Sequence, residues 1–201
     1  MPSNPSESPV DAVARLKADH RRLQGLLNRL TSSKPRALAE REVRMRELVA
    51  ALSIHLHLKE TLFYPRLRAR AAQADPAVLE ALEAHHLLKW QLKELDGLSA
   101  AHPRFAPKVA QLGTVLKAHL AQEARRLHPL AYEHLSLEER ELLGQQMAEA
   151  EAAAPTRPHP RLSDLPPLNL LQQRLVGLVD RGRDALRETR DAWTLARMLR
   201  V

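Results

Sequence analysis

Residues 20–30 read HRRLQGLLNRL and residues 85–95 read HHLLKWQLKEL. Aligned on His20 and His85, both stretches place leucine three, seven and ten residues later: Leu23, Leu27 and Leu30 in the first, Leu88, Leu92 and Leu95 in the second. Steps of three and four keep side chains on one face of an α-helix, so each histidine shares a stripe with leucines that face a core. A second pair carries the same pattern in reverse. Leu52, Leu48 and Met45 precede His55 at those offsets, and Leu116, Leu112 and Val109 precede His119. Pro65 and Pro129 each follow their histidine by ten residues, and the spacing His20 to His55 nearly repeats in His85 to His119. The pattern reads as an internal duplication, with four imidazoles pointing inward from four helices.

Composition agrees with a helical chain. Of 201 residues, 44% are apolar and 27% charged, with only 6 glycines and 3% aromatics. That balance favours helix over sheet. The absence of cysteine excludes disulfides, thiolate metal sites, iron–sulfur clusters and a cysteine nucleophile. No 18-residue apolar run suggests a transmembrane helix. The opening MPSNPSESPV has neither the basic nor the apolar region of a signal peptide, so a cytoplasmic location is expected. The formal charge is +7, but basic residues alternate with acids, as in Glu138-Glu139-Arg140-Glu141. This reads as a solvated helical face, and no specific nucleic-acid partner is expected. There is no glycine-rich phosphate loop and no G-x-S-x-G elbow.

Along the chain, residues 1–9 form a Ser/Pro-rich tail expected to be disordered. Helices are predicted over about 10–30, 36–71 (kinked or ended at Pro65), 75–96, 105–130 and 136–153. Asp75 is read as an N-cap with Pro76 at the first helical position, Gly97 as a terminator, and Ser136 with Glu139 as a capping box. Residues 154–169 hold five prolines and form a linker or strap, followed by a C-terminal helix over 170–201. This helix could dock on the bundle or meet a protein partner. The fold class is therefore all-α. Residues 10–153 form an antiparallel up-down four-helix bundle with internal duplication and a short fifth helix.

Four buried imidazoles are costly without partners, and a metal ion is the partner that resolves the cost. His119-Leu120-Ala121-Gln122-Glu123 adds a carboxylate one helical turn from an inward histidine. Imidazole and carboxylate without thiolate suit iron, manganese or zinc. A ferritin-like site would need E-x-x-H on two helices, and Glu83-x-x-His86 is an isolated match.

The segments LKADHRRLQGLLNRL, HLHLKETLFYP, EAHHLLKWQLKEL and HLAQEARRLHPLA, within about residues 11–132, resemble the four helix motifs of the hemerythrin-like (HHE cation-binding) family. The resemblance implies a non-haem iron centre, usually a bridged pair. It also implies a role in binding or sensing O2 or another small diatomic ligand, or in handling iron. Carried over, the metal ligands are His20, His55, His85, His119 and Glu123. His85 is preferred to His86 because it alone shares the leucine register of His20. His57, His86 and His128 are candidates for the fifth histidine that some members use, none of them in good register.

One position departs from the pattern. Where the family has a glutamate four residues after the second-helix histidine, this chain has Lys59, which has no acceptor when protonated. Glu60 is adjacent but rotated by about 100° on a regular helix, so only a distortion before Pro65 would bring it inward. Three readings follow: two irons completed by Glu60 or water; one metal held by the histidines and Glu123; or a metal-free bundle with Lys59 paired to Glu123, acting as an interaction module. Phe63 and Tyr64 are read as packing residues, with the Tyr64 hydroxyl able to donate towards the site. Trp90 and Trp193 are read as helix packing, and His102 and His159 as solvated loop residues.

Overall fold

The computed structural model describes residues 10–160, 179–182 and 184. Its elements are α1 (Ala12–Thr31), α2 (Leu38–Leu58), α3 (Tyr64–Arg70), α4 (Asp75–Leu95), α5 (Phe105–His134) and α6 (Leu137–Glu151). A π-helical turn, Lys59–Phe63, joins α2 to α3, and a 3-10 turn, Ala72–Ala74, leads into α4. No strand occurs among the described residues. No described helix is long and apolar enough to cross a membrane.

Local chemistry sets the helix ends. The Asp11 side chain accepts from the amides of Val13 at 2.7 Å and Ala14 at 3.2 Å, capping α1, a contact worth about 1 kcal/mol. Ser136 and Glu139 form the reciprocal capping box of α6. Gly97 ends α4 with φ of 85°, a left-handed conformation that glycine adopts without strain. Asp75 is not the cap expected of it. The 3-10 turn brings the chain into helical angles by Asp75, whose carboxylate then pairs with Arg68. Pro129 does not end α5, which continues to His134.

Cross-helix contacts run antiparallel. Arg44 of α2 bonds the Arg29 carbonyl near the end of α1, while Asp19, earlier in α1, meets His55, later in α2. Likewise Lys108 pairs with Glu94, whereas Gln122 and Arg126, further along α5, reach back to Glu80 in α4. α1 packs on α2, α5 and α6, and α4 packs on α5. The leucine stripes fill one end of the bundle, including Leu23, Leu27, Leu30, Leu88, Leu92 and Leu95. A second apolar cluster, with Leu16, Phe63, Tyr64, Leu67 and Val78, fills the other. Burying each large apolar side chain contributes about 1.5–3 kcal/mol. Between the clusters lies a polar layer: His20, His55, Lys59, Glu60, His85, His119, Glu123 and His128 are all buried.

After α6 the described part of the expected strap, 154–160, carries no helix. Arg157 bonds Asp96 at 2.8 Å and Asp184 at 2.7 Å, tying Asp184 to the end of α4. His159, expected to be solvated, instead meets the buried Asp180 at 2.8 Å. The expected tail, residues 1–9, Trp193 and most of the expected C-terminal helix lie outside the described residues.

α6 lies against the start of α1 because residue 144 is glycine. A Cβ there would come within 1.8 Å of the Val10 carbonyl oxygen. Gly144→Ala is expected to destabilise the chain by about 1–3 kcal/mol. Gly25→Ala, whose Cβ meets only Arg29 at 3.5 Å, should stabilise it by about 0.5–1 kcal/mol. Denaturant unfolding of the two variants checks the contrast.

Candidate metal centre

The four expected histidines come from four different helices: His20 from α1, His55 from α2, His85 from α4 and His119 from α5. Glu123 follows His119 by one turn and stands among all four. His20 Nε2 and His119 Nε2 each lie 3.3 Å from Glu123 Oε2. The His20 and His55 rings are 5.2 Å apart, and the His85 and His119 rings 4.8 Å apart. Donor atoms of His20, His55 and Glu123 fall within 4.8 Å of one another, as do those of His85, His119 and Glu123. The expected inward direction of His85 is seen, while His86 is exposed and accepts from the Trp90 indole at 3.0 Å. Trp90 is exposed as well and lies along its own helix against His86.

Lys59 is fully buried and directed inward. Its ammonium donates to Glu123 Oε1 and lies 3.5 Å from His119 Nε2. Tyr64, read from the sequence as packing, reaches the same carboxylate: its hydroxyl donates to Glu123 Oε1 and sits 3.1 Å from His85 Nε2. One hydroxyl proton serves one of these neighbours at a time.

Glu60 is buried too, because the helix distorts just where it must. The Tyr64 amide bonds the Lys59 carbonyl five residues back. Pro65 supplies no amide to the Thr61 carbonyl, and its ring crowds that oxygen, which opens the ladder. The widened turn places Lys59 and Glu60 inward together. Glu60 Oε1 lies 2.7 Å from His85 Nδ1, and Oε2 accepts from Lys89 at 2.8 Å. Asp19 stands behind His55 in the same way, 3.4 Å from Nδ1. A carboxylate on Nδ1 fixes the ring and its tautomer and turns Nε2 towards the centre.

Two residues escaped the register argument. His128 is buried, its ring stacked on His20 at 5.2 Å. α5 packs against both α1 and α4, so its buried stripe is two residues wide, as at His119 with Leu120 and Leu127 with His128. Lys89 follows His85 by four, as Lys59 follows His55. That shared spacing was the signal available for it.

Burial keeps His55, His85, His119 and His128 neutral. It brings His55 down to about 4, helped by Lys59, and His128 down to about 4, helped by His20. Burial carries His119 to about 2 against the pull of Glu123, and His85 well below the ordinary 6.5. Neutral imidazole is the metal-binding form. Burial alone would raise the Glu123 carboxyl, but Lys59 and the histidines hold it well below its ordinary value. Burial pulls Lys59 below its ordinary value, and Glu123 pulls it back. Burial and Glu123 together raise Tyr64 well above 10.0.

A cation fits this donor set. His20 Nε2, His55 Nε2 and Glu123 Oε2 are buried, close together and without a hydrogen-bond partner. Buried lone pairs on imidazole nitrogens and a carboxylate oxygen cost free energy when they have no partner, and a bound metal ion would supply one.

The depressed histidines set a pH dependence. Their unfolded forms take up protons near 6.5, whereas His55 and His128 in the fold do so near 4. The unfolded state therefore binds more protons between those values, and stability falls as pH falls. In chelator, unfolding free energy is expected to be level above pH 7 and to drop steadily from about pH 6.5 to about pH 4. Denaturant titrations across that range measure it.

Three comparisons bear on this centre. Residues 11–131 match the Hemerythrin HHE cation binding domain. A crystal structure of a hemerythrin HHE cation binding domain-containing protein from Mycobacterium kansasii superposes with a TM-score of 0.63 at 29% identity, covering 71% of this chain and 85% of that one. A protein of Nostoc sp. named DNA nickase is 25% identical over 127 residues, 63% of this chain; the chain spans 35% of that relative's length. The match at residues 11–131 takes in all four histidines, Lys59 and Glu123 and covers more than half of the chain, which therefore belongs to the hemerythrin HHE cation binding domain family.

Proposed function

We propose that this chain is a non-haem iron protein, in which His20, His55, His85, His119 and Glu123 form the centre that holds the ion. Its work is to bind or sense O2 or another small diatomic ligand. The observation that carries this reading is the convergence of four buried histidines on one carboxylate, with His20 Nε2, His55 Nε2 and Glu123 Oε2 lacking any hydrogen-bond partner. Bound iron supplies a redox-active centre with a coordination position for a small ligand.

The chain's own residues do the rest. Asp19 and Glu60 orient His55 and His85 from behind. The apolar clusters on either side keep bulk water from the polar layer. On the outer side of Glu60, the strap residues Pro155, Arg157, Pro158 and His159 help line a small cavity that also touches Lys89.

Iron analysis of purified variants tests the assignment. His55→Ala and Glu123→Ala are expected to lower bound iron at least about tenfold. His86→Ala and His102→Ala, both exposed, should leave it unchanged. Equal iron in all four variants would place the ion elsewhere or nowhere.

A further inference from the structure

We infer that Lys59 is a built-in cation: its ammonium takes the second cation position of the centre, which therefore holds a single metal ion on the side of His20, His55 and Glu123. This rests on the metal-binding reading and refines it.

The two halves of the centre are unequal. They share Glu123 and each offers two histidines. In the half built by His85 and His119, both imidazole Nε2 atoms and Glu123 Oε1 are met by side chains of the chain itself. Lys59 Nζ is on Glu123 Oε1 and 3.5 Å from His119 Nε2. The Tyr64 hydroxyl is 3.1 Å from His85 Nε2 and donates to the same Oε1. In the other half, His20 Nε2, His55 Nε2 and Glu123 Oε2 are buried and make no hydrogen bond. One carboxylate is thus divided, with Oε1 taken by the ammonium and the Tyr64 hydroxyl, and Oε2 lying between His20 and His119 with no hydrogen bond.

The duplication explains how this arose in chemical terms. Lys59 stands four residues after His55, as Glu123 stands four after His119. An ammonium replaces the carboxylate that twofold symmetry would place there. Two metal ions would then face one carboxylate and a positive charge between them. Like charges at such distances repel strongly where solvent does not screen them. Lys59 is not turned out to water. It is fully buried, and its Nζ lies over the Tyr64 ring at 5.2 Å from the centroid. With one metal ion on Oε2 and the ammonium on Oε1, the carboxylate bridges two cations, one of them covalently part of the chain. Glu60 does not restore the missing carboxylate, because its oxygens are taken by His85 and Lys89.

Manganese(II) loading of the full chain under anaerobic conditions tests this, with stoichiometry from equilibrium dialysis and the spin state from electron paramagnetic resonance. The parent should bind one ion per chain and give the six-line signal of an isolated Mn(II). His20→Gln should abolish binding, while His85→Gln should keep a stoichiometry of one. Lys59→Glu should bind two ions and lose the six-line signal to spin coupling. If Lys59→Glu does not fold, the two histidine variants decide. Two coupled ions in the parent, one ion in a folded Lys59→Glu, or equal loss in His20→Gln and His85→Gln overturns the inference and leaves the iron-binding reading standing. No ion bound by the parent overturns both.

Discussion

Two full charges, Lys59 and Glu123, meet in the middle of a bundle that is hydrocarbon above and below. Removing such charges from water costs several kcal/mol each after relaxation, and breaking the pair by deleting one partner costs about 3–5 kcal/mol. The surroundings answer that cost. Tyr64 donates a second hydrogen bond to the carboxylate, and His119 and His20 approach its other oxygen. A second buried pair, Glu60 with Lys89, lies beside the first. The polar layer is thus electrically balanced before any ion enters, and its balance depends on each side chain keeping its place.

The widened turn at Lys59–Phe63 is what makes that balance geometrically possible. On a regular helix, consecutive residues point about 100° apart and could not both serve one layer. The ladder loosens just before Pro65, so the ammonium reaches Glu123 and the carboxylate reaches His85. The corresponding Pro129 sits within a continuous α5. The duplicated halves are therefore alike in histidine register and unlike in backbone. That difference separates the half engaged by Lys59 and Tyr64 from the half with unpartnered nitrogens.

Membership of the HHE cation binding family speaks for a cation centre, and the particular residues of this chain speak to its form. Burial keeps His55, His85 and His119 neutral, and His55 and His85 are backed by carboxylates, which is how proteins aim imidazoles at metals. Lys59, Glu60 and Lys89 add one feature to the layer, buried ion pairs beside the histidines. The strap adds a second, closing it from outside through Arg157 and His159.

The sequence by itself determined the all-helical bundle, because leucines at three, seven and ten residues from each histidine leave only one face to bury. It also determined which histidines turn inward, His85 and not His86, since register along a regular helix is a matter of angle alone. The same arithmetic failed where the helix is not regular or its buried face is wide. Glu60 enters through a π turn, and His128 enters because α5 packs on two neighbours at once. Asp75 lost its capping role to a 3-10 turn that no periodicity announces. Above all, the sequence could place Lys59 on the inward seam but not choose its partner. Whether an inward ammonium snorkels, pairs or displaces a metal depends on which groups four separate helices bring within a few ångströms of its nitrogen. Only tertiary packing sets those distances, and here it set the Lys59 ammonium on Glu123.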